Sequence, residues 1–461
     1  MKLPSVFLAL TVMFSPLAHS ADLPGRAPHS TNPILPGYYA DPSILEFGGK
    51  HYIYATLDPW GDETLGCWES SDFKNWTFRT LNWPTKSLCK SPTGGSSSVW
   101  APSVLRGRDG KFYMYVSVHN EVWAGVADTP TGPWKNLLGD KPLIAQTFRP
   151  GFHMIDAEGF IDDDGQAYLY WGSGLHWVNG KCWAVKLKPD MVTFDGEVRD
   201  VTPKNYFEGP FMTKHAGHYY LMYSHGKTIE ETYAVHYAMG DTPFGPFTEA
   251  SNSPVLRSDK ANNILSTGHH AIFTHEGRTY ILYHRHSIPF DPKFIGRQVC
   301  VDELKFAADG LMENVVPSHD GSAFLQNRLQ GRVNLAEKAT ATASSVKDEF
   351  TGAACVLDDN YATRWAPAPD SPENWLQLDL GQVQKITSQE IRFEYAWKSY
   401  LCSVETSLDG KSWNPLANYL TTPASGSPVI IDKPVEARFL RLVFPKPNRT
   451  QSPALWEWSV F

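Results

Sequence analysis

Gly49–Ala55 reads GKHYIYA, and the same figure returns four times: GKFYMYV from Gly110, GQAYLYW from Gly165, GHYYLMY from Gly217 and GRTYILY from Gly277. In each, a tyrosine follows the glycine by three residues: Tyr52, Tyr113, Tyr168, Tyr220 and Tyr280. An apolar run precedes the glycine, a turn sits at it, and an aromatic strand follows. Recurring at about 50–60 residues, this is how a propeller blade looks in sequence. Eight or nine residues before each glycine stand Asp41, Ala101, Asp156, Glu208 and His269. Equivalent positions of all blades face one axis, so Asp41, Asp156 and Glu208 are expected to converge on one pocket. Convergent carboxyls suit acid–base chemistry on a neutral, polyhydroxylated substrate.

Five blades account for about residues 30–315 of a 461-residue chain, which leaves room for a second domain. The 35 Gly, 34 Pro and 13% aromatic residues favour short strands and turns over long helices. The net charge of −8, with no basic stripe, argues against nucleic acid as a partner. Sixteen Trp suit sugar stacking, although most such rings serve as core.

Residues 1–20 read as a secretory signal peptide: Lys2, the apolar VFLALTVMF, and the small-x-small site Ala18-His19-Ser20. No later stretch is long and apolar enough to span a bilayer. The expected product is secreted or periplasmic, with no membrane partner. Export permits disulfides, and Cys67 with Cys89 and Cys355 with Cys402 are the local pairs to weigh against a set of buried thiols.

Three repeats carry an outer turn, SSDFKNWTF, ADTPTGPWKN and GDTPFGPFTE, in which an Asx-type turn precedes a packed ring. These turns resemble the Asp boxes of sialidases. No arginine cluster for a carboxylate substrate occupies repeat-equivalent positions, so they read as structural. The pattern changes after Leu311. The expected boundaries are a propeller over 24–320, a linker over 321–331 and a second domain over 332–461. There, the alternation in LQLDL and FLRLVF reads as β-sandwich strands. The fold class is all-β throughout.

The strand starts carry a more specific signal: YYADPSI around Asp41, VWAPSV at Trp100, MIDAEGFIDDDGQAYLYWG around Asp156, YFEGPF around Glu208, TGHHAIF with His269, and GRQVCVDEL with Arg297. In this order and spacing they resemble glycoside hydrolase family 43, five-bladed propellers of inverting enzymes. The resemblance implies Asp41 as general base, Glu208 as general acid, and Asp156 as the residue that orients Glu208 and raises its pKa. It also implies Arg297 as a contact to the sugar and the acid, Trp100 in the substrate site, and His269 facing a channel ion, often calcium.

The C-terminal motifs TASS, LDDNYATRW, WLQLDLG, SLDGKSW and ARFLRL resemble the F5/8 type C (discoidin) domain, also seen as carbohydrate-binding module family 32. That resemblance implies a structural calcium at Asp358, Thr363 and Glu457, with Asp358-Asp359 in place of the commoner Asp-Gly. Trp397 is a candidate sugar platform against a core reading. No cofactor is expected for the chemistry itself.

The sequence therefore reads as a secreted exo-acting inverting glycosidase of oligo- or polysaccharides. An α-L-arabinofuranosidase leads, with β-D-xylosidase or exo-β-galactosidase as alternatives of the same fold. A non-catalytic glycan-binding propeller is the alternative of another class. All candidate catalytic residues precede Leu311, so a chain ending near Gln330 is expected to keep turnover of small substrates.

Overall fold

The structure is a computed structural model that describes residues 23–94, 98–445 and 453–461. The signal-peptide reading at 1–20 lies outside the described residues. Among those residues, no helix is long and apolar enough to cross a membrane.

Five antiparallel sheets form the first unit. Blade one comprises β1 (Tyr39–Phe47), β2 (Lys50–Leu57), β3 (Leu65–Ser70) and β4 (Thr77–Arg79). Blade two holds β5 (Val99–Arg106), β6 (Phe112–Val118), β7 (Glu121–Ala127) and β8 (Lys135–Asn136). Blade three holds β9 (Glu158–Ile161), β10 (Ala167–Trp171), β11 (Trp183–Leu187) and β12 (Arg199–Asp200). Blade four holds β13 (Glu208–His215), β14 (His218–His225), β15 (Ala234–Gly240) and β16 (Thr248–Glu249), and blade five β17 (Gly268–His275), β18 (Arg278–His286) and β19 (Arg297–Glu303). Strand order follows chain order within every blade. The repeated glycines turn between the first two strands: Gly49, Gly110, Gly165, Gly217 and Gly277 all have positive φ. The aromatic strand after each turn is packed on both faces by neighbouring blades, which is why β6 is buried along its whole length.

Blade five has three strands, and the N-terminal segment lies along its outer edge. Ile34 N–H donates to Val299 O, and the Asn32 side chain both donates to Val301 O and accepts from Val301 N–H. The ring of blades is closed by the start of the chain meeting its last blade.

Around the axis the inner strands of blades one, two, four and five bulge, and that of blade three starts two residues after the same position. Asp41, Ala101, Asp156 and Gly209 share positive φ, at 50°, 44°, 57° and 60°. Cross-strand register makes these the equivalent positions, with His269 in blade five: Ser43 pairs Tyr54, Glu158 pairs Tyr170 and Phe211 pairs Met222. Glu208 therefore stands one residue ahead of the shared position, which Gly209 fills. The strain is held by inter-blade hydrogen bonds. Ala101 N–H donates to Thr56 Oγ1, Asp156 N–H to Ser117 Oγ, and Asp41 N–H to His284 Nδ1. Strained backbone persisting at a ring of neighbouring positions is typical of a functional centre.

The second unit is a sandwich of β20 (Thr340–Ala343), β21 (Asn374–Ile386), β22 (Gln389–Phe393), β23 (Ser399–Tyr400), β24 (Ser403–Ser407), β25 (Asn414–Asn418), β26 (Ala424–Ser425), β27 (Val429–Ile431), β28 (Val435–Phe444) and β29 (Leu455–Val460). One sheet runs β20-β21-β28-β24-β25, and β27-β22-β29 faces it. Leu376, Leu378, Leu440 and Leu442 are fully buried between them, as the alternation requires. The outer turns are structural: Asp72 Oδ1 accepts from Lys74 and Asn75 N–H, and Trp76 packs behind.

All six cysteines are free thiols, so neither local pair forms. Cys67 and Cys89 lie in one apolar cluster, whereas Cys402 belongs to the sandwich core and Cys355 sits beside Arg26. Burial pushes the Cys89 and Cys402 thiols up to about 12. Nor is 321–331 a loose linker. Leu325 joins the core of blade one, and buried Arg328 donates to Thr31 O and Pro33 O.

The two units share hydrophobic cores. Ala396 and Trp397 of the sandwich pack with Tyr39 and Trp68 of blade one, and Trp456 and Tyr361 pack with Tyr38. Trp397 Nε1 donates to Asp62 Oδ2 at 3.0 Å. Trp397 is thus a junction residue, in line with the core reading. A chain ending near Gln330 would uncover Tyr38 and Tyr39, so the expected independence of the propeller is not what the packing supports. Calorimetry of the full chain is expected to show one cooperative transition. Trp397→Ala should lower its stability by about 1–3 kcal/mol, less than a fully buried tryptophan because this one is partly exposed. Two separate transitions, unaffected by Trp397→Ala, would show that the units fold independently.

Candidate active site

The axial mouth of the propeller holds a pocket of about 330 Å³, within the range of small-ligand sites. Its floor carries Asp41, Asp156, Glu208, His269 and Arg297; its walls carry Trp60, Trp100 and Trp177. The three acids named from the repeats thus share one cavity. Asp41, Asp156 and His269 get there because the equivalent positions of different blades turn toward the axis. Glu208, one residue earlier, reaches the same space from the preceding position, which in blade two is Trp100.

Asp41 is buried and accepts from Thr56 Oγ1 at 2.7 Å and Arg297 Nη1 at 2.9 Å. Burial opposes its charge. The Arg297 guanidinium, a hydrogen bond involving His284, and His269 outweigh that and hold the carboxyl well below the usual range. Glu208 is half-buried, and its partners are neutral: Tyr233 OH donates to Oε1 at 2.8 Å and Ser173 Oγ to Oε2 at 3.0 Å. Desolvation dominates and, with the charge of Asp41, pushes Glu208 up to about 7. Asp156 is also raised well above the usual carboxylate range, by burial and by the charges of Glu208 and Asp41. Gly209 N–H donates to Asp156 Oδ2 at 3.2 Å, so Asp156 grips the residue next to Glu208. Environment alone has driven the acidities of two carboxyls in one pocket apart, as a general acid and a general base require.

Arg297 is placed differently from the expectation. Its N–H and Nε donate to Asp58 Oδ2, its Nη2 to Asp58 Oδ1 and its Nη1 to Asp41, with no bond to Glu208. It lines the pocket beneath Trp60, whose ring centroid is 5.4 Å from the guanidinium carbon. It therefore acts first on the proposed base, which it holds ionised by direct contact, while its charge also pulls against the raised pKa of Glu208 from beyond hydrogen-bond reach. Trp100 lines the pocket with Nε1 donated to His119 O, which leaves its ring face to the cavity.

His269 Nδ1 lies 3.6 Å from Asp41 Oδ1 and 3.8 Å from Asp156 Oδ2, so this nitrogen faces the carboxylates. The narrow axial channel below is lined by His269, His270 and Glu158. Neither ring nitrogen of buried His270 has a partner, and burial pushes Glu158 up to about 8. The one lone pair of the neutral His270 ring and a destabilised carboxyl fit a cation held through its waters, with His270 better placed than His269 to face it.

In the sandwich, Thr363 Oγ1 donates to Asp358 Oδ2 at 2.6 Å and Asp359 N–H to Glu457 Oε2 at 3.2 Å, so the three expected calcium residues are neighbours. Burial, with the charge of Asp359, pushes Asp358 up to about 7, and burial with the charges of Asp358 and Asp359 pushes Glu457 well above its usual value. An all-oxygen set with frustrated charge suits a hard cation. Among the described residues no group of three His, Cys, Asp or Glu side chains is poised to hold a metal, so carbonyls would have to complete the shell.

Sequence reasoning missed Asp58, Trp60, Trp177, Tyr233 and Ser173. Only one signal pointed to the inner ring: the residue four after each repeat tyrosine is Thr56, Ser117, Ser224 or His284 in four blades. The wall residues come from unrepeated loops and carry no such mark.

Comparison with known proteins agrees with this geometry. The model of glycosyl hydrolases family 43 matches residues 30–312, and that of the F5/8 type C domain residues 340–458. A β-D-galactofuranosidase of Aspergillus niger is 34% identical over 60% of this chain and 83% of its own length. An arabinoxylan arabinofuranohydrolase of Bacillus subtilis is 26% identical over 74% of this chain and 77% of its own. A solved glycoside hydrolase superposes over 95% of this chain and 100% of its own, with TM-score 0.79 and 29% identity. The matched pocket, blades and sandwich converge on one conclusion: the chain belongs to glycosyl hydrolases family 43, is a glycoside hydrolase, and carries a C-terminal F5/8 type C domain.

Proposed function

We propose that the protein removes single terminal sugars, foremost α-L-arabinofuranosyl groups, from plant-type polysaccharide side chains, with inversion at the anomeric carbon. The observation that supports this most is the opposed tuning of Asp41 and Glu208 within one pocket. Asp41, held ionised by Arg297, deprotonates a water on one face of the sugar. Glu208, protonated near neutrality, gives its proton to the departing glycosidic oxygen. Asp156 keeps the acid in place through Gly209, while burial and the charge of Asp41 keep that acid protonated. Trp60, Trp100 and Trp177 present rings to the sugar faces. The signal-like N-terminus supports export as part of the same reading. A calcium held at Asp358 and Glu457 would serve the sandwich domain, not the chemistry.

A second reading has its own support. The relative with 34% identity is named for β-D-galactofuranose. That sugar and α-L-arabinofuranose share ring configuration and differ in the exocyclic chain, so one pocket could favour either. Product release from nitrophenyl α-L-arabinofuranoside, β-D-galactofuranoside and β-D-xylopyranoside tests the choice. Highest kcat/KM is expected on the arabinofuranoside. Preference for the xylopyranoside would overturn a furanosidase, and release of the β-anomer from the α-furanoside, followed by NMR, is the expected sign of inversion.

The roles predict unequal mutants. Glu208→Gln should lose about 10²–10⁴-fold on poor leaving groups and recover with dinitrophenolate, which needs no proton. Asp41→Asn should lose as much on every leaving group, and azide should partly restore Asp41→Ala. Rescue in the opposite sense would exchange the two roles.

The pH profile carries a sign. Glu208 must be protonated, and its pKa is raised to about 7, so kcat/KM should fall as pH rises through about 7. Asp41 must be ionised, and its pKa is lowered, so no acidic limb from it should appear in the mildly acidic range. The alkaline limb belongs to the Asp156–Glu208 pair and should vanish in Glu208→Gln. A limb that survives this substitution would assign it elsewhere.

A further inference from the structure

A second and larger cavity, about 500 Å³, lies where the propeller meets the sandwich. Both domains build it. Buried Tyr38 lines it, edge-on to Phe294 of the propeller at 5.0 Å and to Trp456 of the sandwich at 5.2 Å. Tyr395 adds a partly exposed ring at 6.2 Å from Tyr38. The partly exposed rings of Phe294 and Tyr395, backed by buried Tyr38 and Trp456, can stack on the C–H faces of a sugar.

The polar groups are poised for a ligand. Arg364 Nε donates to Glu394 Oε1 at 2.8 Å, while its guanidinium lies 5.7 Å from the rings of Tyr38 and Trp456. Among the described residues no hydrogen bond engages its terminal nitrogens, so donors remain for a guest. Asn374 also lines the cavity; it is 3% exposed, and its Oδ1 has no partner. A buried amide oxygen left without a donor is costly, and a ligand hydroxyl would satisfy it.

Charge selects the class of guest. The cations Arg26, Lys347 and Arg364 face the acids Asp291, Asp348 and Glu394 in equal number. With no net sign, the lining favours neither a polyanion nor a bare cation. Donors, an orphaned acceptor and aromatic faces together suit a neutral chain of hydroxyl-rich rings. The chain also ties this cavity to the catalytic pocket, since Tyr38 and Phe294 each lie three residues before Asp41 and Arg297.

We propose that the junction cavity is a second carbohydrate site, completed only by both domains together, that holds a neutral stretch of the polysaccharide while a side chain enters the catalytic pocket. The choice of polymer, but not the existence of the site, rests on the glycosidase reading above. The test uses the full chain silenced by Asp41→Asn, titrated calorimetrically with xylotetraose, 1,5-α-L-arabinotetraose and tetragalacturonate. Two variants lie outside the catalytic machinery: Arg364→Met removes the donors and keeps the stem, and Ala368→Trp fills the cavity without removing a contact. Both should weaken binding of a neutral tetrasaccharide at least ten-fold. In the active protein, both should raise KM for the polymer several-fold and leave kcat/KM on aryl glycosides within two-fold.

Tetrasaccharide binding and polymer KM unchanged in Ala368→Trp would overturn the site. So would failure of the unsubstituted cavity to bind any neutral probe at millimolar concentration. Binding of tetragalacturonate alone would overturn its neutral class. Should aryl glycosides fail as substrates while tetrasaccharide binding still depends on Arg364, the function reading falls and this site stands.

Discussion

One buried ion cluster joins the last blade of the propeller to the first. Arg297, at the start of β19, is 4% exposed, and four of its hydrogen bonds go to Asp58 and Asp41. A buried guanidinium is tolerable only when its donors meet carboxylates in good geometry, and the bidentate fork on Asp58 supplies that. Removal of one partner from such a cluster leaves an uncompensated charge, a loss of about 3–5 kcal/mol in comparable pairs. The same contact that locks the ring also keeps Asp41 ionised. Closure of the fold and readiness of the base are therefore one interaction.

Glu208 shows the converse. It lies in the same pocket but its hydrogen bonds come from the hydroxyls of Tyr233 and Ser173, and the charge of Arg297, not in contact with it, does not outweigh burial. Two carboxyls a few residues from the axis acquire opposite acidities because one blade presents an arginine and the other a tyrosine. The inner ring of strained residues sets their positions. Asp41, Ala101 and Asp156 are kept at positive φ because each backbone N–H is satisfied by a side chain of the neighbouring blade. At Gly209 the same turn is made by the residue that needs least strain, and its N–H goes to Asp156.

The sandwich is joined to this centre by packing, not by a tether. Trp397 bonds Asp62, two residues from Trp60, whose ring lies over Arg297. Tyr38 is shared between the two cores and a cavity that neither domain encloses alone. The interface is thus continuous, through a few residues of blade one, with the wall of the catalytic pocket.

The sequence by itself determined the fold class and the identity of the three acids. Both are written in local periodicity: a glycine turn, a tyrosine three residues on, and, in four of the five repeats, a polar residue eight or nine positions before the glycine. The discoidin-like sandwich was legible for the same reason, since the alternation of Leu376, Leu378 and Leu440, Leu442 is a property of single strands. Only the tertiary structure decided that Glu208 precedes the shared position, because the bulge that displaces it is a matter of register between strands. It alone placed Arg297 on Asp41 and Asp58, left all six cysteines reduced, and bonded Trp397 to Asp62. These depend on residues tens to hundreds of positions apart. No periodic signal links such pairs; only closure of the blades and docking of the sandwich bring them within hydrogen-bond distance.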